Sequence, residues 1–302
     1  MAIILKKLLY IPILLIFSII ISCGQNSAEK KLNGMWYEIE NEYSTWHFFK
    51  DSLVFKIAGN TEEKTEWNAN NSKIEFEIPT FYWNSLGKPI DTINKVLIKY
   101  RLSDKNDSLF GTLENNYGMH KFSMLKTESY VEYLNQKYGV KFHLPQDNSA
   151  KLIETDAIYG LKVFMGISDD KIIAKTELSD NLENLATDIK KFKDSIKPSE
   201  QYQIDSHEIM LNRRFHFRVF ADKNIPDSTI TDFLKITINL KNSELDEHLP
   251  ERFRGKERDT LPIRIFRIHK SKQKTKPWNM KATEIKTIAN NAYNTAVTFG
   301  YN

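Results

Sequence analysis

Cysteine is almost absent from this chain, since the 302 residues include only Cys23. One thiol excludes any disulfide within the chain, so the folded part must be stabilised by its hydrophobic core. Long apolar runs are equally scarce. The one candidate, Leu8–Ile21, stands near the start and is shorter than the roughly 20 residues that a membrane-spanning helix needs.

The common catalytic and cofactor-binding patterns are missing as well. The chain has no glycine-rich nucleotide loop, no nucleophile elbow and no His-Glu-x-x-His, and its seven histidines are scattered. We therefore predict a protein that is not an enzyme and that has no cofactor and no metal site. The net charge of +4 is small, which excludes a globally basic protein that binds nucleic acid.

The residues around Cys23 are more informative. Lys6 and Lys7 precede the apolar run, which ends in Ile20-Ile21-Ser22-Cys23-Gly24. A positive stretch, a short apolar stretch and small residues at its end are typical of a secretory signal. This ending resembles the bacterial lipobox, in which the bond before the cysteine is cut and the thiol carries diacylglycerol. The resemblance implies a signal peptide over residues 1–22 and lipidation at Cys23.

The same resemblance implies that the N-terminal end of the chain is attached to a membrane through the lipid on Cys23. Gly24 stands where an Asp would indicate retention at the inner membrane under one known sorting rule, so we expect a lipid-anchored protein of the outer membrane that faces the periplasm. A plain transmembrane anchor is the alternative, and the shortness of the apolar run counts against it. Residues 23–31 are small and polar, which predicts a flexible tether.

Short alternating segments fill residues 32–127. Ser52–Ile57 and Lys73–Ile78 place apolar side chains on one face and polar ones on the other, which is the pattern of half-buried strands. Turn signals separate about eight such segments. Closure of the sheet would remove its exposed edges, so the pattern predicts a small all-β barrel.

The start of this region carries a family signature. Gly34-Met35-Trp36 resembles the Gly-x-Trp start of lipocalins, which implies a lipocalin-like meander. Lipocalins usually place an Arg over this Trp, and the last strand here offers Lys121 and Lys126 instead. Aromatic residues in the region form a candidate pocket for a small apolar ligand, with ordinary core filling as the alternative. The candidate pocket residues are Trp36, Trp46, Phe48, Trp67 and Trp83.

A helix and a linker are predicted over residues 128–156. Apolar residues at helical spacing up to Tyr138, with Gly139 as a stop, favour a short helix. The polar stretch 144–156 predicts a domain boundary. Residues 157–270 then alternate between strand and helix patterns in the order β-β-α-β-α-β, which predicts a two-layer α+β domain. Residues 251–302 carry 12 Lys and Arg against 4 Asp and Glu, and we expect residues 271–302 to be a basic tail.

One motif of this second domain resembles the periplasmic domain of the ExbD/TolR family. It runs from Phe217 to Pro226, where a strand ends in Ala-Asp-Lys and a proline starts the next helix. The family's membrane helix with an ionisable Asp is missing, so the resemblance implies an interaction or dimerisation surface and no motor function. The candidate surface residues are Asp222, Lys223, Pro226 and Lys235.

Together these patterns predict a two-domain, lipid-anchored envelope protein. We expect a non-catalytic interaction module that binds a partner protein or a second copy through its C-terminal domain, in the setting of an ExbD/TolR-type energy-coupled transport system. The alternative is a periplasmic protein that binds a small apolar ligand in its barrel.

Overall fold

The computed structural model describes residues 25–56, 62–83, 89–153, 159–196, 214–234, 264–270 and 280–285, with the backbone alone at 81–83 and 89–91. Cys23 and Lys235 lie outside the described residues. The chain divides into two compact units between Glu128 and Ser129. Among the described residues, no helix has the length and the apolar character needed to cross a membrane.

The first unit is one antiparallel sheet of nine strands that curves into a nearly closed barrel. The strand order is β4-β3-β2-β1-β9-β8-β7-β6-β5. Near the closing edges, the Thr65 hydroxyl donates to the Glu77 carbonyl at 2.7 Å. This confirms the predicted all-β barrel. Its elements are α1 (Ser27–Leu32), β1 (Gly34–Glu38), β2 (Thr45–Phe48), β3 (Leu53–Lys56), β4 (Glu62–Thr65), β5 (Trp67–Ala69), β6 (Lys73–Trp83), β7 (Pro89–Leu102), β8 (Ser108–Asn115) and β9 (Gly118–Lys126).

The barrel begins with a docked helix, which differs from the flexible tether expected over residues 23–31. Asn26 caps α1, and its side chain accepts from the backbone N–H of Glu29 while the Glu29 carboxylate accepts from the N–H of Asn26. Ala28 and Leu32 are buried, and Leu32 belongs to the core of the barrel. Two apolar positions four residues apart are therefore enough to hold this short polar segment on the sheet.

The second unit is a mixed six-stranded sheet in the order β10-β15-β14-β13-β11-β12. Strands β11, β13 and β14 are parallel, and β12 and β15 run antiparallel to their neighbours. The predicted order β-β-α-β-α-β is observed from β11 to β14. The elements are α2 (Tyr130–Tyr138), β10 (Lys151–Leu152), β11 (Gly160–Ser168), β12 (Lys171–Thr176), α3 (Leu185–Ser195), β13 (His216–Ala221), α4 (described over 227–234), β14 (Arg264–His269) and β15 (Lys281–Ile285).

Helices α3 and α4 cover one face of this sheet. Ile189 and Ile230 are buried in a core that includes Val163, Phe217 and Ile265 of the parallel strands. Helix α3 comes between β12 and β13, and α4 follows β13 in the chain, so both helices bury their apolar side chains on this face of the sheet.

Helix α2 and the residues after it pack on the other face. Ser129 caps α2 and Gly139 ends it in the left-handed conformation, which confirms the predicted helix. The Tyr138 ring stacks on Phe164 at 4.2 Å, and Phe142 lies 6.0 Å from Phe220 between ring centroids. The segment expected to link two domains is therefore part of the second unit.

The C-terminal residues also differ from the prediction. Within the expected basic tail, Lys281–Ile285 form β15, which pairs with β14 on one side and with β10 on the other. Ala282 and Ile285 are buried. The strand was missed because Lys-Ala-Thr-Glu-Ile carries only these two apolar anchors in a strongly charged stretch.

Candidate functional site

The predicted aromatic pocket lies at the centre of the barrel core. Trp36, Trp46 and Phe48 are each at most 2% exposed. The Trp46 ring stacks on Phe55 at 5.2 Å, and Phe76 and Phe122 meet it edge-on at 5.6 and 5.2 Å; these four rings belong to one apolar cluster. In the described part of the barrel these side chains fill the space between them, which is the packing of a core.

The other two pocket candidates lie elsewhere. Trp67 is half-buried at the rim, where its ring meets Phe48 at 4.8 Å and its indole N–H donates to the Phe49 carbonyl at 3.0 Å. Trp83 ends β6 opposite Pro89, and its side chain is outside the description. Within the described residues, the five candidates are therefore not brought together around one open cavity.

Lys126 of β9 lies over the ring of Trp36. Its Nζ lies 5.5 Å from the centre of the Trp36 ring and donates to the Lys31 carbonyl at 2.8 Å. Burial lowers the pKa of Lys126. The Trp36 indole N–H donates to the Leu32 carbonyl at 2.7 Å. These contacts join α1, β1 and β9 at one end of the barrel.

Asp222, a residue of the predicted interaction surface, is buried instead. One carboxylate oxygen accepts from the Asn224 N–H at 3.0 Å, and the other accepts from the His143 N–H at 2.8 Å and faces the His143 ring at 3.2 Å. Burial alone would raise the pKa of Asp222, but these hydrogen bonds outweigh it and hold the pKa below its ordinary value. The prediction that Asp222 contributes to a surface is therefore wrong, because its carboxylate fastens β13 to the chain that follows α2.

The rest of that predicted surface is partly described. Lys223 and Pro226 are exposed, and α4 begins directly after Pro226 as the motif predicts. Arg267 holds the turn between β13 and α4 in place. Its guanidinium donates to the Asp227 carboxylate at 2.5 Å and to the Asp222 carbonyl at 3.0 Å. The motif therefore builds a rigid turn with two exposed residues.

A buried group of charged and polar side chains was missed by the sequence analysis. The His216 ring nitrogen Nδ1 lies 2.8 Å from the Arg214 carbonyl, and Nε2 accepts from Arg218 Nε at 3.0 Å. Burial lowers the pKa of His216 to about 4, so the ring is neutral at pH 7 and its Nδ1 proton is donated to Arg214. Polar and apolar residues alternate along β13, which is typical of a strand with one exposed face. In the structure, the residues on both faces of β13 are buried.

Two neighbouring features complete this buried group. The buried Lys162 forms an ion pair with the half-buried Glu177 at 2.8 Å, and Glu177 also accepts from the Lys162 backbone N–H at 3.0 Å. A Cβ at Gly160 would lie only 2.5 Å from Arg218 Nε and 2.6 Å from His216 Nε2. Glycine is needed at this position because the two side chains cross directly over the backbone of β11.

The hairpin of β11 and β12, Gly160–Thr176 together with Leu178, exposes apolar side chains at the edge of the second sheet. Its turn residues Asp169 and Asp170 have φ values of 49° and 57°, as a two-residue hairpin turn requires. Within the described residues, β12 is an edge strand. The exposed apolar residues are Ile167 at 40%, Ile172 at 36%, Ile173 at 42% and Leu178 at 44%.

Comparisons with protein-family models, curated proteins and solved structures found no match for this chain. Among the described residues, no group of three or more His, Cys, Asp or Glu side chains is arranged to hold a metal ion. The protein is therefore described by its fold. A β-barrel with a filled core carries a docked N-terminal helix, and a mixed sheet with an exposed apolar hairpin at its edge follows it in the chain.

Proposed function

We propose that this chain is a lipid-anchored envelope protein that acts as a non-catalytic interaction module. Cys23 carries the lipid, the lipocalin-like barrel follows it, and the second unit binds a partner protein or a second copy of the chain. The lipobox around Cys23 supports the anchor, and the exposed apolar hairpin of β11 and β12 supports the interaction role.

The hairpin is the observation that carries this proposal. Exposed apolar side chains that cluster on an edge strand are typical of a binding surface, because a monomer gains nothing from them in water. Ile172 and Ile173 point to opposite faces of the sheet, so a partner that adds to this edge would cover both. The turn from Phe217 to Pro226 supports an ExbD/TolR-like second unit and hence an accessory role beside an energy-coupled transport system.

A photo-crosslinking experiment in intact cells tests the interaction. A photoreactive amino acid replaces Ile172 in the full chain. In a separate control variant, the same photoreactive amino acid replaces Lys95. The Lys95 side chain is 80% exposed on a strand of the barrel, so it reports chance encounters. We expect a discrete cross-linked species from position 172 and none from position 95.

The charge variant Ile173→Lys makes the test specific. A lysine at the neighbouring edge position should abolish the discrete species from position 172, because its charge would be desolvated by the partner. An unchanged species in Ile173→Lys, or equal products from both probe positions, would contradict the proposal. The mass of the species distinguishes a second copy from another protein.

A further inference from the structure

The N-terminal helix fixes the point at which the chain leaves the barrel. The Asn26 side chain donates to the Ala69 carbonyl at 2.7 Å, and Ala69 N–H donates back to the Glu29 carboxylate at 3.4 Å. Leu32, the last residue of α1, is fully buried in the barrel core. The first turn of the helix is therefore attached to Ala69, the last residue of β5, directly before the turn between β5 and β6.

Gln25 extends this attachment to the turn between β2 and β3. Its side-chain amide donates to the carbonyls of Lys50 at 3.2 Å and Phe49 at 3.5 Å. It also pairs reciprocally with the Asn33 side chain at 2.9 and 2.7 Å. Gln25 is thus held by three partners directly beside the β2–β3 turn.

Cys23 lies only two residues before Gln25. Since an extended chain spans at most about 3.6 Å per residue, the Cα atoms of these two residues are no more than about 7 Å apart. A lipid on Cys23 therefore has no flexible tether. The protein surface beside Gln25 must therefore lie close to the membrane that holds the lipid.

That surface is suited to a lipid headgroup region. Phe49 is 42% exposed, and the His47 ring lies tilted against it with the ring centroids 3.7 Å apart. Lys50, the next residue, is exposed. An exposed aromatic ring beside a lysine is the combination that favours the boundary between hydrocarbon and water, where the ring meets the acyl chains and the ammonium meets phosphate.

We propose that this end of the barrel lies against the membrane surface, with Phe49 in the headgroup region. We name it the anchored end and define it by α1, the β2–β3 turn (residues 49–52) and the β5–β6 turn (residues 70–72). The occupant of the surface is the lipid bilayer that holds the acyl group. This inference rests on the proposed lipidation of Cys23.

The opposite end of the barrel provides an internal reference. Strand β8 runs from Ser108 at the anchored end to Asn115 at the other, where Tyr117 is 74% exposed in the β8–β9 turn. An eight-residue strand is about 26 Å long at roughly 3.3 Å per residue. The two ends therefore differ clearly in their expected distance from the bilayer.

Fluorescence quenching by labelled lipid tests the orientation. Asp51→Cys and Tyr117→Cys each add one reactive thiol to the full acylated chain, because the thiol of an acylated Cys23 is blocked. Each variant is labelled with a fluorescent maleimide and reconstituted into vesicles that contain a nitroxide-headgroup lipid. We expect strong loss of fluorescence at position 51 and little loss at position 117.

Equal quenching at the two positions would overturn the inference. The added substitution Phe49→Ser should weaken the quenching at position 51, because the ring no longer holds the turn in the headgroup region, and unchanged quenching would overturn the role of Phe49. Labelling of the wild-type chain by the maleimide would show a free Cys23 thiol, which is a failure of the proposed lipidation. An unreactive wild type with equal quenching is a failure of the orientation alone.

Discussion

At the scale of single residues, burial changes what a side chain can do. Asp222 and His216 both look like surface residues in the sequence, since one follows a strand and the other alternates with phenylalanines. In the structure both are at most 5% exposed and fully engaged in hydrogen bonds. Their contribution is therefore to stability, and it depends on pH.

We predict that His216 destabilises the second unit as the pH falls. Its pKa is about 4 in the folded state and 6.5 ordinarily, so below pH 6.5 only the unfolded chain takes up this proton. Acid therefore favours unfolding. Between pH 7 and pH 5 the cost is roughly 2 kcal/mol, at about 1.4 kcal/mol for each pH unit below 6.5.

Urea unfolding at the two pH values measures this cost. The variant His216→Gln should be less stable at pH 7 and should lose about 2 kcal/mol less on acidification than the wild type. His120→Gln is the control, since His120 is exposed on β9 and should keep the wild-type pH dependence. Equal pH dependence in the wild type and His216→Gln would show that folding does not lower the pKa of His216.

The sequence could predict the turn at Asp222 but not its partner. The motif places Asp222 after a strand, and Asx turns of this kind are local. The donor His143 is 79 residues away in sequence, and no spacing rule relates the two positions. The burial of His216 was missed as well. Alternation distinguishes the two faces of a strand, but it does not show which of them other parts of the chain will cover.

At the scale of elements, α1 is the clearest departure from expectation. Six residues with one leucine do not predict a helix by apolar periodicity. The signal that was available is the capping box, in which Asn26 precedes Glu29 by three residues. A helix this short is marginal by itself in water, so its stability comes from the barrel on which it packs.

We predict that Leu32→Ala destabilises the barrel by about 2–4 kcal/mol, because Leu32 is fully buried against Trp36 and its neighbours. Denaturant unfolding followed by tryptophan fluorescence measures the loss. Lys30→Ala on the exposed side of the same helix should change stability by less than about 0.5 kcal/mol. Equal, negligible effects of both changes would mean that residues 25–32 behave as the flexible tether first expected.

Strand predictions succeeded where alternation was strong and failed where it was weak. Strands β3 and β6 follow from the period-two patterns of Ser52–Ile57 and Lys73–Ile78, which contain aromatic and β-branched residues. Strand β4, Glu62–Thr65, contains no apolar residue, and pairing with β3 is what makes it a strand. Such strands are determined by their neighbours, so a local pattern cannot reveal them.

At the scale of the whole molecule, the nearly closed sheet could be anticipated because exposed edges are costly. The boundary between the units could not. Composition favoured residues 144–156, but the chain divides at Glu128 because α2 packs its aromatic residues on the second sheet. The boundary between two units depends on which residues contact each other in the folded chain. The polarity of a segment is only an indirect guide to those contacts.

We predict that Cys23→Ala releases the full chain from the membrane fraction. Each buried CH₂ of an acyl chain contributes about 0.8 kcal/mol to membrane binding, which a single exposed phenylalanine cannot replace. Fractionation of cells followed by detection of the chain measures the release. Phe49→Ser should stay in the membrane fraction, since it keeps the lipid. Retention of Cys23→Ala would contradict the lipid anchor.

The docking of α1 also sets an order of events. On the proposed processing, a membrane peptidase must hold the chain on both sides of the bond before Cys23 in an extended form. Gln25 and Asn26 are occupied once α1 is seated on the barrel. On this processing, cleavage comes before the helix docks, and Leu32 enters the barrel core only after the signal peptide has gone. Maturation and the completion of folding are successive steps in the life of this chain.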